Sequence, residues 1–98
     1  MKWKVEFTSR ALGHLKALKP FEQKLLLDEI HLHLSRSPDE PTRNRKLLRP
    51  NPLADWELRV GHFRVFYTIE NNVVVVTVVA IGRKDHNSLI IEGEEFPL

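Results

Sequence analysis

The chain has 98 residues, 42% of them apolar, 29% charged and 8% aromatic, which suits one domain spanning 1–98 and leaves no room for a second. It holds no cysteine, which excludes disulfide staples, thiolate metal sites and a cysteine nucleophile, and fits a reducing, cytoplasmic setting. Fifteen Lys and Arg against thirteen Asp and Glu leave a net charge of only +2, so the placement of the charges says more than their sum.

The opening segment MKWKVEF lacks the apolar stretch of a secretory signal. No apolar run nears the roughly 18 residues that span a bilayer, so no membrane partner is expected. Trp3 to Phe7 alternates, with Trp3, Val5 and Phe7 on one side and Lys4 and Glu6 on the other, the period of a half-buried strand. Thr8 and Ser9 offer N-cap hydroxyls to a short helix in which Leu12, Leu15 and Leu18 recur and Gly13 is a weak point. Pro20 suits the first turn of a second helix, whose apolar set Phe21, Leu25, Leu26, Ile30 and Leu34 runs to about Arg36 before Ser37-Pro38 ends it. Two helices so closely joined form an antiparallel hairpin.

Pro38 to Pro52 carries four of the six prolines and reads as an ordered loop with a short strand at Lys46 to Leu48. Trp56 to Val60 alternates again, and Gly61-His62 turns the chain into a strand with Phe63, Val65, Tyr67 and Ile69 on one side and Arg64, Phe66 and Thr68 on the other. Asn71-Asn72 tolerates the left-handed conformation of a two-residue hairpin turn. Val73 to Ile81 is apolar on both faces, the mark of a central strand, and Gly82 is expected to stop it. The order is β-α-α-β-β-β, an α+β fold in which an antiparallel sheet is covered on one face by a helical hairpin.

Charge is distributed unevenly. Between Pro41 and Arg64 lie six bases (Arg43, Arg45, Lys46, Arg49, Arg59 and Arg64) and two acids (Asp55 and Glu57), whereas Glu92 to Leu98 carries three acids and no base. Such a split points to a basic surface for a polyanion. Arg59 and Arg64 flank the Gly61 turn and can clamp a phosphodiester, since each guanidinium forks two N–H bonds onto phosphate oxygens; the plainer alternative is a solvated sheet face that resists aggregation. Arg83, Lys84, Asp85 and His86 follow the central strand, where His86 is a candidate proton carrier and otherwise an inert surface histidine. His31 and His33, two apart on a helix, point about 200° away from each other and cannot share a metal ion. Glycine-rich phosphate loops are absent. Trp56 is a base-stacking candidate, although a tryptophan at alternating spacing is more often a core or edge-packing residue.

The stretch LLRPNPLADWELRVGHFRVFYTI followed by VVVVTVVAIGRKDHNSLIIEGEEF resembles the RelE/ParE superfamily of toxins from bacterial type II toxin–antitoxin modules. Its most specific pieces are the W-x-L-R-x-G-x-F-R-V-x-Y hairpin of Trp56 to Tyr67 and the A-I-G-R-K-D-H-N turn of Ala80 to Asn87. The resemblance implies a ribosome-dependent endoribonuclease that cuts mRNA by attack of a 2′-OH on the adjacent phosphorus, needs no metal or other cofactor, and is silenced by a cognate antitoxin. It implies that Arg64 stabilises the developing negative charge, that Arg83 or Lys84 shares that role, and that His86 serves as acid or base. The chain departs from RelE itself, which has two lysines where Asp55 and Glu57 stand and a C-terminal tyrosine where an aliphatic such as Ile90 stands. The implied catalytic set is therefore Glu57, Arg64, Lys84 and His86. Arg43, Arg45, Lys46, Arg49, Arg59 and Arg83 are left as contacts to RNA and the ribosome. Two other functions stay open on this scaffold: a ParE-like gyrase poison without nuclease activity, and a non-enzymatic protein-binding member.

Overall fold

A computed structural model describes residues 2–97; Met1 and Leu98, the last residue of the acidic tail, lie outside the described residues. In chain order the elements are β1 (Lys4–Phe7), α1 (Ser9–Lys16), α2 (Pro20–Leu34), β2 (Arg45–Leu47), β3 (Trp56–Val60), β4 (Phe63–Glu70), β5 (Val75–Asp85), β6 (Ser88–Ile91) and β7 (Glu94–Glu95). Strands β2 to β7 lie side by side in sequence order, each antiparallel to the next. The first strand departs from the antiparallel pattern: β1 runs parallel to β5, with Lys4 opposite Val75 and Phe7 opposite Val78. β1 and β6 therefore share the β5 edge away from β4, β1 at Val75 to Val78 and β6 from Arg83. Between them Thr8 Oγ donates to the Val79 carbonyl at 3.3 Å and the Ile81 N–H donates to His14 Nδ1 at 3.0 Å, so side chains take the ladder's place.

Both helices form where capping and periodicity direct them. Thr8 Oγ accepts the Ala11 N–H at 3.1 Å to start α1, and the Glu22 carboxylate accepts the Lys19 N–H at 3.1 Å to start α2 beside Pro20. The buried stripe is narrower than the apolar pattern: Leu26, Ile30 and Leu34 face the sheet, whereas Phe21 is 68% and Leu25 46% exposed. Together with Ala11 and Leu15 of α1 these side chains cover one sheet face, packing on Leu58, Val65, Tyr67, Val76 and Val78. Trp56 belongs to this core, stacked on Tyr67 with ring centroids 6.0 Å apart, and is not placed to stack a base. The buried Tyr67 hydroxyl donates to the Pro38 carbonyl at 2.8 Å, tying the long loop to the sheet.

Beside the parallel β1 and the two strands β6 and β7, which the expected order β-α-α-β-β-β does not include, three further details differ from the sequence expectation. The strand after the proline-rich loop is Arg45–Leu47, not Lys46 to Leu48. The β4–β5 connection is a short 3-10 turn at Asn71–Val73 followed by Val74 at φ 54°, because Glu70 already pairs with Val75 and four residues must be looped out. Gly82 does not stop the central strand, which runs on to Asp85. A Cβ at position 82 would lie 2.8 Å from Ile91 Cγ1 and 2.9 Å from the Ile90 carbonyl, so the glycine permits close passage of β6.

The other sheet face carries a smaller apolar cluster of Ala54, Phe66, Ala80, Leu89 and Ile91, with Leu48, Leu53 and Phe96 packed against it. It joins the loop before β3 to the chain after β7 across the face opposite the helices, and a cleft opens beside it.

Candidate functional site

Period-two alternation places Leu58, Val65 and Tyr67 toward the helices, so Glu57 and Arg59 of β3, Arg64 of β4 and Lys84 of β5 project from the opposite face. There they line a cleft of about 410 Å³, with Lys46 to Asn51 along one side and Glu95 to Pro97 along the other. Asn51 braces its own loop: its Oδ1 accepts the Leu53 and Ala54 N–H groups at 2.8 and 3.1 Å, and its Nδ2 donates to the Arg49 and Ala54 carbonyls at 2.8 and 2.9 Å.

Electrostatics make this cleft unusual. Arg59 and Arg64 are directly opposite each other across the β3–β4 pair, an arrangement that like charges destabilise. Arg64 is only 8% exposed, and its Nη1 donates to the Gly61 carbonyl at 2.8 Å and the Phe63 carbonyl at 2.9 Å, which fixes the guanidinium plane. Burial, and then Arg59, push its pKa below the usual guanidinium range, while Glu57 pulls it back. Arginine's reference value is so high that the group stays cationic at neutral pH. Among the described residues no ion pair engages Lys46, Arg49, Glu57, Arg59, Arg64 or Lys84, although Lys46 stands opposite Glu57 on the adjoining strand. Five cations that make no ion pair, against the two carboxylates Glu57 and Glu95, form a ready site for phosphate oxygens.

Glu57, Arg64 and Lys84 are thus brought together, with Lys46, Arg49 and Arg59 around them. The remaining sequence candidates lie elsewhere. His86 occupies the tight turn between β5 and β6 at φ 56°, its side chain 95% exposed and 3.8 Å from Asp85. It is not part of the cleft lining, unlike Glu57, Arg64 and Lys84, the other members of the implied catalytic set; the neighbouring Asn87 lines the cleft instead. Arg83 alternates away from Lys84 onto the helix side, where it sits 5.2 Å from the Phe63 ring centroid and 3.7 Å from a Glu22 carboxylate oxygen. Arg45 is buried, donating from Nε to the Glu40 carbonyl at 3.0 Å and from Nη1 to the His33 carbonyl at 3.2 Å; it pins the loop to α2 and offers no free fork to RNA. Arg43 is exposed in that loop, outside the cleft lining. Sequence reasoning gave no site role to Asn87, although it closes the A-I-G-R-K-D-H-N turn, and missed Glu95 and Phe96, whose only signal was the acidic tail.

A helical hairpin on one face of a mainly antiparallel sheet matches the fold of solved RelE toxins. The RelBE2 toxin–antitoxin complex from Mycobacterium tuberculosis superposes with a TM-score of 0.71 at 26% identity, covering 86% of this chain and 100% of that one. The archaeal RelE–RelB complex from Pyrococcus horikoshii gives 0.70 at 17% identity, covering 88% and 99%. The isolated E. coli RelE toxin gives 0.67 at 23% identity, covering 86% of each chain. No curated protein matches the sequence. The family model for the ParE toxin of the type II toxin–antitoxin system parDE matches residues 5–87, and the chain belongs to that family. It is a toxin of a type II toxin–antitoxin module with a RelE-like fold.

Proposed function

We propose that this toxin is a ribosome-dependent endoribonuclease that cuts mRNA by metal-independent transesterification. The observation that carries the reading is the opposed pair Arg59 and Arg64, one of them buried and held rigid, beside a carboxylate that no ion pair neutralises. Glu57 accepts the proton of a ribose 2′-OH, whose oxygen then forms a bond to the adjacent phosphorus. The phosphorane's extra negative charge falls between Arg64 and Arg59, fixed donors that strengthen as charge develops. The bond to the 5′-oxygen breaks, and the Lys84 ammonium supplies the leaving group's proton, giving a 2′,3′-cyclic phosphate and a 5′-hydroxyl. Lys46 and Arg49 contact flanking phosphates and orient the strand without reading its sequence. His86, at its exposed turn, takes no part in the proton transfers. The toxin acts in the cytoplasm, and its protein partner is a cognate antitoxin, as the complexes formed by the structural relatives suggest.

Membership of the ParE family favours a second reading, gyrase inhibition without RNA cleavage. The two separate cleanly on expression of the wild-type and Arg64→Ala chains in cells. Primer extension on cellular mRNA is expected to show new 5′ ends with the wild type and none with the variant. Intact mRNA accompanied by loss of DNA supercoiling in a purified gyrase assay would replace the nuclease with the gyrase poison.

A further inference from the structure

The turn between β6 and β7 is Glu92-Gly93, and both residues have positive φ, 56° and 77°. Glycine adopts that conformation freely, and asparagine tolerates it; a glutamate there is strained. Its side chain shows what the strain accompanies. Glu92 Oε1 accepts a hydrogen bond from His14 Nε2 at 2.8 Å and another from Arg10 Nε at 3.2 Å, both on α1, which covers the opposite side of the sheet. His14 is itself held, because Nδ1 accepts the Ile81 N–H, which leaves the ring hydrogen on Nε2 to donate to the carboxylate. Backbone of β5, imidazole, carboxylate and guanidinium thus form one continuous tie around the β5 edge.

Within the hairpin so tied, β6 is held by three pairs with β5 and by the burial of Leu89 and Ile91, whereas β7 has no ladder but its own with β6 and, beyond that, the packing of Phe96. The β6–β7 ladder is two pairs long, Ile90 with Glu95 and Ile91 with Glu94, which is too short to persist alone. Directly after it the Phe96 N–H donates to the Leu89 carbonyl at 2.8 Å, and Glu95, Phe96 and Pro97 form one side of the basic cleft. We infer that Glu92 is a positioning residue: gripped by His14 and Arg10, it holds the β6–β7 hairpin in place and so sets the C-terminal wall of the cleft. The consequence for RNA rests on the nuclease reading above; the mechanical role does not.

Glu92→Asn tests it, since asparagine suits the turn but its shorter side chain loses the reach to α1. In the full-length variant, hydrogen exchange at the Phe96 amide is expected to accelerate while the amides of Tyr67 and Val78 keep wild-type protection. Affinity for a fluorescein-labelled single-stranded oligoribonucleotide is expected to fall roughly fivefold or more. Glu92→Gln, which keeps an acceptor at the same reach, is expected to restore both readouts toward wild type. Unchanged Phe96 protection in Glu92→Asn would overturn the inference, as would faster exchange with undiminished RNA affinity. If the wild-type chain binds no oligoribonucleotide at low salt, the cleft is not an RNA site off the ribosome and the nuclease reading is decided by cleavage on ribosomes, while exchange at Phe96 and its recovery in Glu92→Gln still decide whether Glu92 holds the wall.

Discussion

Arg64 and Arg59 face each other and, among the described residues, neither makes an ion pair, so the fold tolerates a repulsion that a bound phosphate would turn into attraction. Replacing Arg59 by Gln is therefore expected to leave stability unchanged or raise it by up to about 1 kcal/mol in urea unfolding. The same variant should bind RNA more weakly, and a stability loss with intact binding would mean that Arg59 is structural. The face of Arg64 was legible from sequence because alternation opposite Phe63 and Val65 dictates it, whereas Glu57 was named only through the family resemblance. Alternation also separates Arg83 from Lys84, which are neighbours in sequence and lie on opposite faces of the sheet. The fate of Arg45 was hidden, since only the folded loop shows that its guanidinium satisfies the Glu40 and His33 carbonyls.

Among the elements, the β6–β7 hairpin was the least predictable, because its anchors are 78 and 82 residues away on α1. Hydrogen bonds from His14 and then Arg10 hold the Glu92 carboxyl below its usual pKa of 4.5. Its stabilising contribution is therefore complete above the unfolded-state value and is lost as pH falls through the lower folded-state value. An acid titration followed by amide exchange is expected to loosen residues 92–96 below pH 4.5, with Glu92→Gln removing that step. Gly82 presents the opposite lesson: a glycine that reads as a strand end is a point of close contact between β5 and β6. Gly82→Ala should displace β6 and cost about 1–3 kcal/mol, measured by chemical denaturation; a neutral result would mean that β6 yields freely.

Over the whole molecule, the two sheet faces divide the work. The helices bury one face in the main core, and the other, only partly covered by the Phe66 cluster, is left for a charged cleft. The order of elements through β5 and the two-layer arrangement were readable because hydrophobic period, caps and turns agree along that part of the chain; β6 and β7 were not foreseen. The parallel pairing of β1 with β5 was not, because nothing in the period of a strand specifies its partner. Lys46, Arg49, Arg59, Arg64 and Lys84 offer five phosphate contacts. At about 0.7 per contact on a single strand, log K against log salt should fall with a slope of at most about −3.5. A slope near zero would remove the cleft as a polyanion site.

The most direct measurement uses purified ribosomes programmed with a defined mRNA and the wild-type, Arg64→Ala and Glu57→Gln chains. The wild type is expected to leave a 2′,3′-cyclic phosphate upstream and a 5′-hydroxyl downstream, with each variant slowed on the order of 10²-fold or more. Cleavage by both variants at the wild-type rate, or no cleavage by the wild type, would contradict a nuclease centred on Arg64 and Glu57.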